Sequence, residues 1–593
     1  AAVMTDKDPV SAEWSPRTTP HSQPAEPWPL DPGVVLGNGP VGQTAALLLA
    51  RWGVPCVVLD RRPERDLVGS KAICQQRDAI DIWESVGVGA RIAAEGATWT
   101  TSRTFFEADE LFSVEFADPG RSPLPPFVNI SQSRTEQLLD ERIAEEPLIE
   151  VRWGHQVTSI TQDPAEVTLG GLTATGPFRL RAPYLLACTG ARSDALRESL
   201  GVTLDGHSFE DRFLICDIRA ELPGWARERR FYFDPAWNPG RQVLIHPCPD
   251  STYRIDWQVP PDYDLDAEMT SGALDRRIRA IVGDTGYELL WQSVYRFHTR
   301  CVNRMRVGRV LLAGDAAHLY APFGARGLNS GVADAENAAW KLAYVGRGWA
   351  GPSLLESYHV ERHAAARENV EVTTATMDFL VPQSPAAAAH RRDVLTRARD
   401  DPAARALVDS GRLAEPYWYT ESPLTTVDPR RPFTGRPPRG TVPPPTPGVL
   451  LPDLPVSDPA RSGVPASSLR RLSRDGLLVL AAPGAGTAEA VAAVVELAPV
   501  PVRVAEMAAL SGELAGLLGA RRGEWWVVRP DGHLAAVVTE LARLYPALCR
   551  AVGHTAPATP TVHTAPRHLH HTRESGISAG RVADIGSVGR PLY

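Results

Sequence analysis

The most chemically informative residues near the start of the chain form a glycine-rich turn, the run GNGPVG at 37–42. The turn lies between a short apolar segment that predicts a strand and a periodic segment that predicts a helix. Gly37 allows a tight turn, Gly39 lets a pyrophosphate approach the backbone, and Gly42 lets the helix pack on the strand. Asp60 ends the next predicted strand, where a carboxylate accepts hydrogen bonds from ribose hydroxyls. An ordinary glycine turn is the alternative, but the combination favours dinucleotide binding.

A second segment, residues 308–331, places a carboxylate between glycines. An apolar run that predicts a buried strand ends at Gly314, and Asp315 follows it directly. The carboxylate of Asp315 can accept hydrogen bonds from a polyol such as the ribitol of a flavin, or it can only cap the next turn. Residues 324–331 then precede a predicted helix whose N-terminal dipole favours negative charge, such as that at N1 and C2 of a reduced flavin. Together the two segments predict a flavin dinucleotide.

These blocks resemble the single-component FAD-dependent aromatic hydroxylases, or group A flavoprotein monooxygenases. The resemblance covers about 34–370, includes GDAAH at 314–318 and DAEN at 334–337, and is strongest to the branch with hydroxyphenylpropionate and aromatic-polyketide hydroxylases. It implies noncovalent FAD, NADH or NADPH as a transient co-substrate, and O2. It also implies that a flavin C4a-hydroperoxide hydroxylates a phenolic or polycyclic, polyketide-like aromatic substrate.

The resemblance assigns the FAD-binding residues by position. Gly37, Gly39 and Gly42 would contact the pyrophosphate, and Asp60 the adenosine ribose. Gln132 resembles a glutamine that contacts FAD, but it also fits a solvated helix start. The complete set is Gly37, Gly39, Pro40, Gly42, Asp60, Arg61, Lys71, Gln132, Asp315, Pro322, Gly327, Leu328 and Asn329.

Two positions depart from the pattern of the family. Thr189 stands where an Asp-Gly motif usually has Asp, and a neutral hydroxyl does not replace a carboxylate in a charge-assisted hydrogen bond. Lys71 stands where the family usually has Arg, which exchanges a planar fork for a point charge. The first change affects the expected nicotinamide binding.

The substrate pocket is expected from a sheet inserted between the two glycine-bearing segments. Segments at 230–234, 242–246, 253–258 and 293–298 alternate in polarity, which predicts antiparallel strands with one buried face. Their aromatic and imidazole side chains could face a flavin, although each could instead pack within the sheet. His246 could help to deprotonate a phenol. The tentative pocket residues are Tyr232, His246, Tyr253, Trp257 and Pro322, and no catalytic residue is assigned.

The predicted fold class is α/β, with a Rossmann-like FAD-binding domain, an interposed antiparallel substrate domain like that of para-hydroxybenzoate hydroxylase, and a thioredoxin-like C-terminal domain. A proline-rich stretch without periodicity separates the last domain from the rest. The predicted ranges are a disordered leader at 1–33, FAD-binding parts at 34–205 and 301–420, the substrate domain at 206–300, a connector at 421–448, the thioredoxin-like domain at 449–553 and a tail at 554–593.

Composition narrows the class of partner. The chain has 593 residues, a net charge of -8 and a pI of about 6.1, which argues against nucleic-acid binding. No apolar run approaches the length of a membrane span. The seven cysteines are scattered without a C-x-x-C pair, so we expect no metal site, no disulfide framework and a cytoplasmic location. A homodimer is a further expectation.

The sequence therefore predicts an FAD-dependent monooxygenase that hydroxylates an aromatic ring. Baeyer–Villiger or ring-cleaving oxygenation on the same scaffold is an alternative, because the geometry of the pocket decides how oxygen attacks. A non-catalytic flavin-fold binding protein is a second alternative, which Thr189 makes more plausible.

Overall fold

The computed structural model describes residues 28–67, 72–116, 121–438, 441–457, 467–486 and 488–555. The predicted leader before residue 28, Lys71 and the tail after residue 555 lie outside the described residues. Within these ranges the chain is a mixed α/β protein, as predicted. No helix in these ranges is both long enough and apolar enough to cross a bilayer.

The nucleotide-binding sheet contains the first predicted motif. Its six strands are, in spatial order, Arg306–Val307, Val310–Leu312, Leu185–Ala187, Gly33–Leu36, Cys56–Leu59 and Ile149–Arg152. Only the first pair is antiparallel. The central strands are continuous apolar runs because both faces of a parallel sheet are covered. The predicted strand, helix and strand are confirmed, and the helix is Pro40–Arg51.

Two small antiparallel sheets and four short helices complete the N-terminal part. The sheets consist of Gln156–Gln162, Val167–Thr173 and Gly176–Ala182, and of Cys74–Gln76, Phe127–Asn129 and Ala97–Thr98. The helices are Arg77–Glu84, Gly89–Glu95, Gln132–Ala144 and Asp194–Ser199.

The substrate sheet has eight strands and is larger than the sequence indicates. In spatial order they are His318–Leu319, Tyr287–Val302, Leu204–Ala220, Thr252–Val259, Gln242–Cys248, Glu228–Phe233, Thr101–Phe106 and Asp109–Glu115. All four predicted strands are present. The last two strands come from a part of the chain that the sequence assigns to the FAD-binding domain, and Thr101–Phe106 pairs in parallel with Glu228–Phe233. Such pairing between distant segments leaves no local sequence signal.

The two faces of the substrate sheet have different neighbours. Residues directly opposite each other on paired strands share a face. His246 lies opposite Arg254, and Leu244 lies opposite Asp256, on what we call the cavity face. The other face packs against the helices Leu265–Thr270 and Ala273–Val282.

Helices follow the substrate sheet and lead to the connector. They are Arg326–Gly346, Ser353–Leu380, Pro385–Arg397 and Pro402–Arg405. The first begins six residues before its predicted start at 332 and packs against Pro40–Arg51. The described part of the connector has neither helix nor strand, yet the backbone N–H of Thr426 donates to the carbonyl of Ala535. The connector is therefore attached to the C-terminal part.

The C-terminal sheet has the strand order Val502–Glu506, Leu477–Ala481, Trp525–Val528 and Leu534–Val538. The first two strands are parallel and joined through the helix Ala488–Glu496, and the last two form a hairpin. This agrees with the β-α-β and hairpin pattern in the sequence, while the thioredoxin-like assignment stays a prediction. The other elements are Pro455–Val456, Ser467–Ser468, Leu469–Ser473, Met507–Leu510, Leu514–Leu518 and Leu541–Ala551.

Buried ion pairs join the C-terminal part to the N-terminal part. Arg474 lies 2.6 Å from a carboxylate oxygen of Asp81 and 2.6 Å from one of Glu336. Arg529 contacts the carboxylate of Glu361 at 2.5 and 2.9 Å. Removing one partner of such a pair leaves an unpaired buried charge, so these contacts hold the two parts in a defined arrangement.

Candidate functional site

The glycine turn presents bare backbone at the start of a helix. A Cβ on Gly42 would stand 1.8 Å from the carbonyl oxygen of Gly37, and one on Gly37 would stand 2.2 Å from that of Cys188. These two glycines are therefore required for packing. Gly39 instead has no protein atom within 4 Å of its Cβ position and lines the main cavity. It directly precedes the helix Pro40–Arg51, whose first N–H groups are available to an anion.

Asp60 organises the loop that follows the second strand. Its fully buried carboxylate accepts hydrogen bonds from the backbone N–H of Asn38 at 2.9 Å and from the backbone N–H of Arg62 at 2.9 Å. The guanidinium of Arg62 also pairs with it at 2.9 Å. Asp60 is outside the cavity lining, whereas Arg61 and Arg62 are part of it. The sequence identified Arg61 but missed Arg62, although the two are adjacent.

The turn with Asp315 is held from behind by a buried charge. Asp315 is exposed and lines the cavity, in the short helical turn Gly314–Ala316. The carboxylate of Asp334 accepts from the Gly314 N–H at 3.0 Å, and its oxygens lie 2.6 Å from His318 Nε2 and 2.6 Å from Arg362 Nε. Burial alone would raise the pKa of Asp334, but His318 and Arg362 lower it below its usual value. Asp334 therefore positions Asp315 as an ionised hydrogen-bond acceptor.

The segment from Pro322 to Asn329 forms a second wall beside this turn. Pro322, Gly327 and Leu328 line the cavity, and nothing lies within 4 Å of the Cβ position of Gly327. Gly327 falls in the first turn of Arg326–Gly346, where backbone N–H groups have no partner within the helix. Asn329 lies elsewhere: its side chain accepts from the Gln76 N–H at 3.0 Å and donates to the Cys74 carbonyl at 3.1 Å. It thus ties the helix to a neighbouring strand.

Two further predicted positions belong to the cavity wall. Gln132 lines the cavity at the start of Gln132–Ala144, accepts from the Ala72 N–H at 3.2 Å and donates to Glu136 at 2.9 Å. Thr189 also lines the cavity, and its hydroxyl lies 2.5 Å from that of Ser193.

One cavity of about 590 Å³ connects these walls. Gly39 and Gly327, which are far apart in the sequence, both face it. Its open backbone positions, its helix N-termini and the acceptor at Asp315 match the pyrophosphate, ring edge and ribitol of a flavin dinucleotide. The residues therefore fit FAD.

The cavity face of the substrate sheet closes the other side. His246, Arg254, Asp256 and Arg229 line the cavity, together with the apolar side chains of Trp99, Phe213, Ile215, Leu244, Phe297 and Phe323. The rings of Phe213 and Phe323 meet at 5.2 Å, which joins the sheet to the segment around Pro322.

Three of the predicted pocket residues lie on the opposite face of the substrate sheet. Val243 pairs with both Tyr232 and Trp257, and Tyr253 pairs with Pro247. Tyr253 and Trp257 belong to the core under the sheet, and Tyr232 packs against that core. Alternation along a strand places neighbouring residues on opposite faces, so these three point away from the cavity that His246 lines.

The polar groups on the cavity face are strongly influenced by burial. Burial raises the pKa of Asp256 to about 7, although Arg254 acts against this shift. Burial, aided by the charges of Arg229 and Arg254, lowers the pKa of His246 well below its usual value. Burial also lowers the pKa of Arg229 to about 10. Residue types alone identified His246, but the other three residues have no motif that marks them.

The fold and cavity define an FAD-binding protein with a large sheet beside the flavin site. Residues 32–373 match the family model described as FAD binding domain, and the chain belongs to that family. The model covers both glycine-bearing segments and the substrate sheet.

Named relatives of this chain include aromatic hydroxylases. The 3-(3-hydroxy-phenyl)propionate/3-hydroxycinnamic acid hydroxylase of Mycobacterium sp. (strain KMS) is 30% identical over 370 residues, 62% of this chain and 62% of that protein. The matched segment thus spans less than two thirds of that relative. The para-nitrophenol 4-monooxygenase of Pseudomonas sp. (strain WBC-3) is 30% identical over 60% of this chain and 89% of its own length.

Solved structures share the fold over most of the chain. The ternary complex of aklavinone-11 hydroxylase with FAD and aklavinone covers 89% of this chain and 100% of its own, with 25% identity and a TM-score of 0.71. The flavin-dependent monooxygenase PieE, in complex with FAD and substrate, covers 88% and 98%, with 24% identity and a TM-score of 0.74.

Proposed function

We propose that this chain is an FAD-dependent monooxygenase that consumes NADH or NADPH and O2 and hydroxylates a phenolic or polycyclic aromatic substrate. The observation that carries the proposal is the single cavity that links the glycine turn and Asp315 to an aromatic-lined sheet face. The names of the hydroxylating relatives support the same activity.

Within this proposal each wall has a task. The backbone at Gly39 and the following helix start hold the pyrophosphate, and Asp315 accepts from the ribitol hydroxyls. The backbone at Gly327 and Leu328 meets the ring edge, and Pro322 lies at its front. When bound and reduced, FAD supplies the activated oxygen for insertion into the ring. The apolar side chains around the cavity exclude water and orient the aromatic substrate.

The test combines flavin reduction with product analysis. The purified holoprotein is first mixed anaerobically with NADPH or NADH, and bleaching of the flavin absorbance is recorded. It is then given air and a panel of monocyclic, bicyclic and polycyclic phenols, and NAD(P)H oxidation, O2 uptake and product mass are measured. We expect bleaching, substrate-stimulated oxidation and a product heavier by one oxygen with its ring skeleton intact.

Other outcomes would point to the alternatives. An ester or a cleaved ring would replace hydroxylation by Baeyer–Villiger or ring-cleaving chemistry. A holoprotein that binds FAD but shows no bleaching with either nicotinamide would favour a binding protein. A cytoplasmic location and a homodimer belong to the proposal as well, and the mass of the purified protein in solution tests the dimer.

A further inference from the structure

The polar cluster on the cavity face has more hydrogen-bonding capacity than the protein satisfies. His246 Nε2 and Asp256 Oδ2 are 3.7 Å apart, which is too long for a hydrogen bond. His246 Nδ1, Asp256 Oδ1 and Arg229 Nε are buried and have no hydrogen-bond partner among the described residues. Buried polar atoms without partners are uncommon in folded proteins and are often explained by a missing ligand.

The position of the cluster indicates what kind of ligand would satisfy it. His246 and Asp256 each keep 12% of the side chain exposed, and both line the cavity beside aromatic and aliphatic groups. A ligand that fits these neighbours has an apolar ring and a polar atom at its edge. One hydroxyl group would serve, since it can donate to a carboxylate and accept from a guanidinium or an imidazole.

Arg229 supplies the charge in this cluster. Its guanidinium reaches the Ser102 hydroxyl at 3.4 Å and the Ser410 carbonyl at 3.2 Å, and neither partner is a carboxylate. Arg254, by contrast, pairs with Asp217 at 2.8 and 2.9 Å. Arg229 is therefore the cation on the cavity face whose printed contacts are all to neutral groups, and an oxyanion would balance its charge.

We propose that Asp256 accepts the proton of a phenolic hydroxyl of the substrate, with His246 as a second hydrogen-bond partner and Arg229 as the cation that stabilises the phenolate. This inference rests on the proposed function and names its catalytic and specificity-determining residues. The O–H bond of the substrate breaks, the proton moves to the carboxylate, and the electron pair stays on the phenolic oxygen. An ionised ring oxygen makes the ring more electron-rich, which favours attack by an electrophilic oxygen.

The electrostatics of the site agree with these roles. A proton acceptor works best when its pKa is close to the working pH, and burial brings the pKa of Asp256 to about 7. The lowered pKa of His246 keeps its imidazole neutral at that pH, so it does not compete as a cation.

The first experiment measures how the site binds a phenol whose ionisation is visible. The oxidised holoenzyme, without nicotinamide, is titrated with 4-nitrophenol and with 4-nitro-1-naphthol over a range of pH, and the absorbance of the bound anion is recorded. We expect the bound probe to be ionised at least tenfold more than the free probe at the same pH. Arg229→Gln should remove this preference. Arg230→Gln is the matched control, because Arg230 is adjacent on the same strand and is paired with Glu228.

The second experiment tests Asp256 as the proton acceptor. With either probe, Asp256→Asn should lower probe-stimulated NAD(P)H oxidation at least tenfold at pH 7. Activity should recover at a pH where the free probe is already ionised, a rescue that a merely structural role would not produce. His246→Gln should show a smaller loss. FAD content and melting temperature check that each variant is folded.

The outcomes separate this inference from the proposed function. Anion-selective binding without any NAD(P)H-driven turnover would contradict the proposed function and leave the binding role of Arg229 standing. Turnover in which the neutral probe binds as well as the anion, or in which Asp256→Asn is unaffected, would overturn the inference. Failure of the folded wild-type holoenzyme to bind either probe would overturn it as well.

Discussion

The replacement Asp334→Asn tests whether the turn with Asp315 depends on a buried charge. Asp334 and His318 are fully buried, and Arg362 is 3% exposed. The carboxylate of Asp334 holds the Gly314 N–H, His318 and Arg362 at 2.6 to 3.0 Å. A neutral amide cannot compensate the charge of Arg362. Breaking a buried ion pair from one side costs about 3–5 kcal/mol, which sets the expected loss in the free energy of unfolding.

The assay is urea unfolding of the holoprotein, followed by tryptophan fluorescence, together with the FAD content after gel filtration. The control is Glu356→Gln, because Glu356 also contacts two arginines but is 39% exposed. An exposed pair contributes about 0–1 kcal/mol. We expect Asp334→Asn to lower both stability and FAD content, and the control to change neither by much. A loss below about 1 kcal/mol with unchanged FAD content would refute the reasoning, because it would mean that the network does not support the turn.

Three further results are expected. Asp315→Ala should sharply lower FAD retention, measured as the ratio of flavin to protein absorbance after gel filtration, and an unchanged ratio would contradict the ribitol contact. Gly39→Val should abolish FAD binding with little loss of melting temperature in the apoprotein, because its Cβ would meet no protein atom within 4 Å; a large loss of apoprotein stability would mean that Gly39 is needed for packing instead. The raised pKa of Asp256, which lies among His246, Arg229, Arg254 and Asp217, makes the folded protein bind more protons than the unfolded chain between about pH 4 and 7. Stability should therefore fall as pH rises through that window, and urea midpoints of Asp256→Asn should depend less on pH there; equal slopes for both proteins would argue against the raised pKa.

Much of the cofactor site could be predicted because its determinants are local. Gly37 and Gly42 act within one continuous turn, and their spacing alone indicates a tight approach of strand and helix. The same holds for Asp315, which follows its strand directly. Even here the details needed the structure. The helix after the second segment begins six residues early, and Asn329 bonds to a neighbouring strand instead of lining the cavity.

The substrate wall was much less predictable. The choice of Tyr232, Tyr253 and Trp257 followed residue type, since aromatic side chains suit an aromatic ligand. Whether a strand residue faces the cavity depends on its parity and on which face of the sheet is covered by helices, and a shift of one residue reverses the answer. Arg229 and Asp256 face the cavity only because their strands pair in the observed register.

Residue types at fixed spacing were thus sufficient to indicate the nucleotide, because the groups that hold it are backbone atoms of short continuous segments. The supporting and selective groups were decided at the tertiary level. Asp334 reaches the Gly314 turn from the middle of a helix, and the cluster of Arg229, His246 and Asp256 is assembled from three different strands. No short window of the chain contains these arrangements, because long-range strand pairing and helix packing create them.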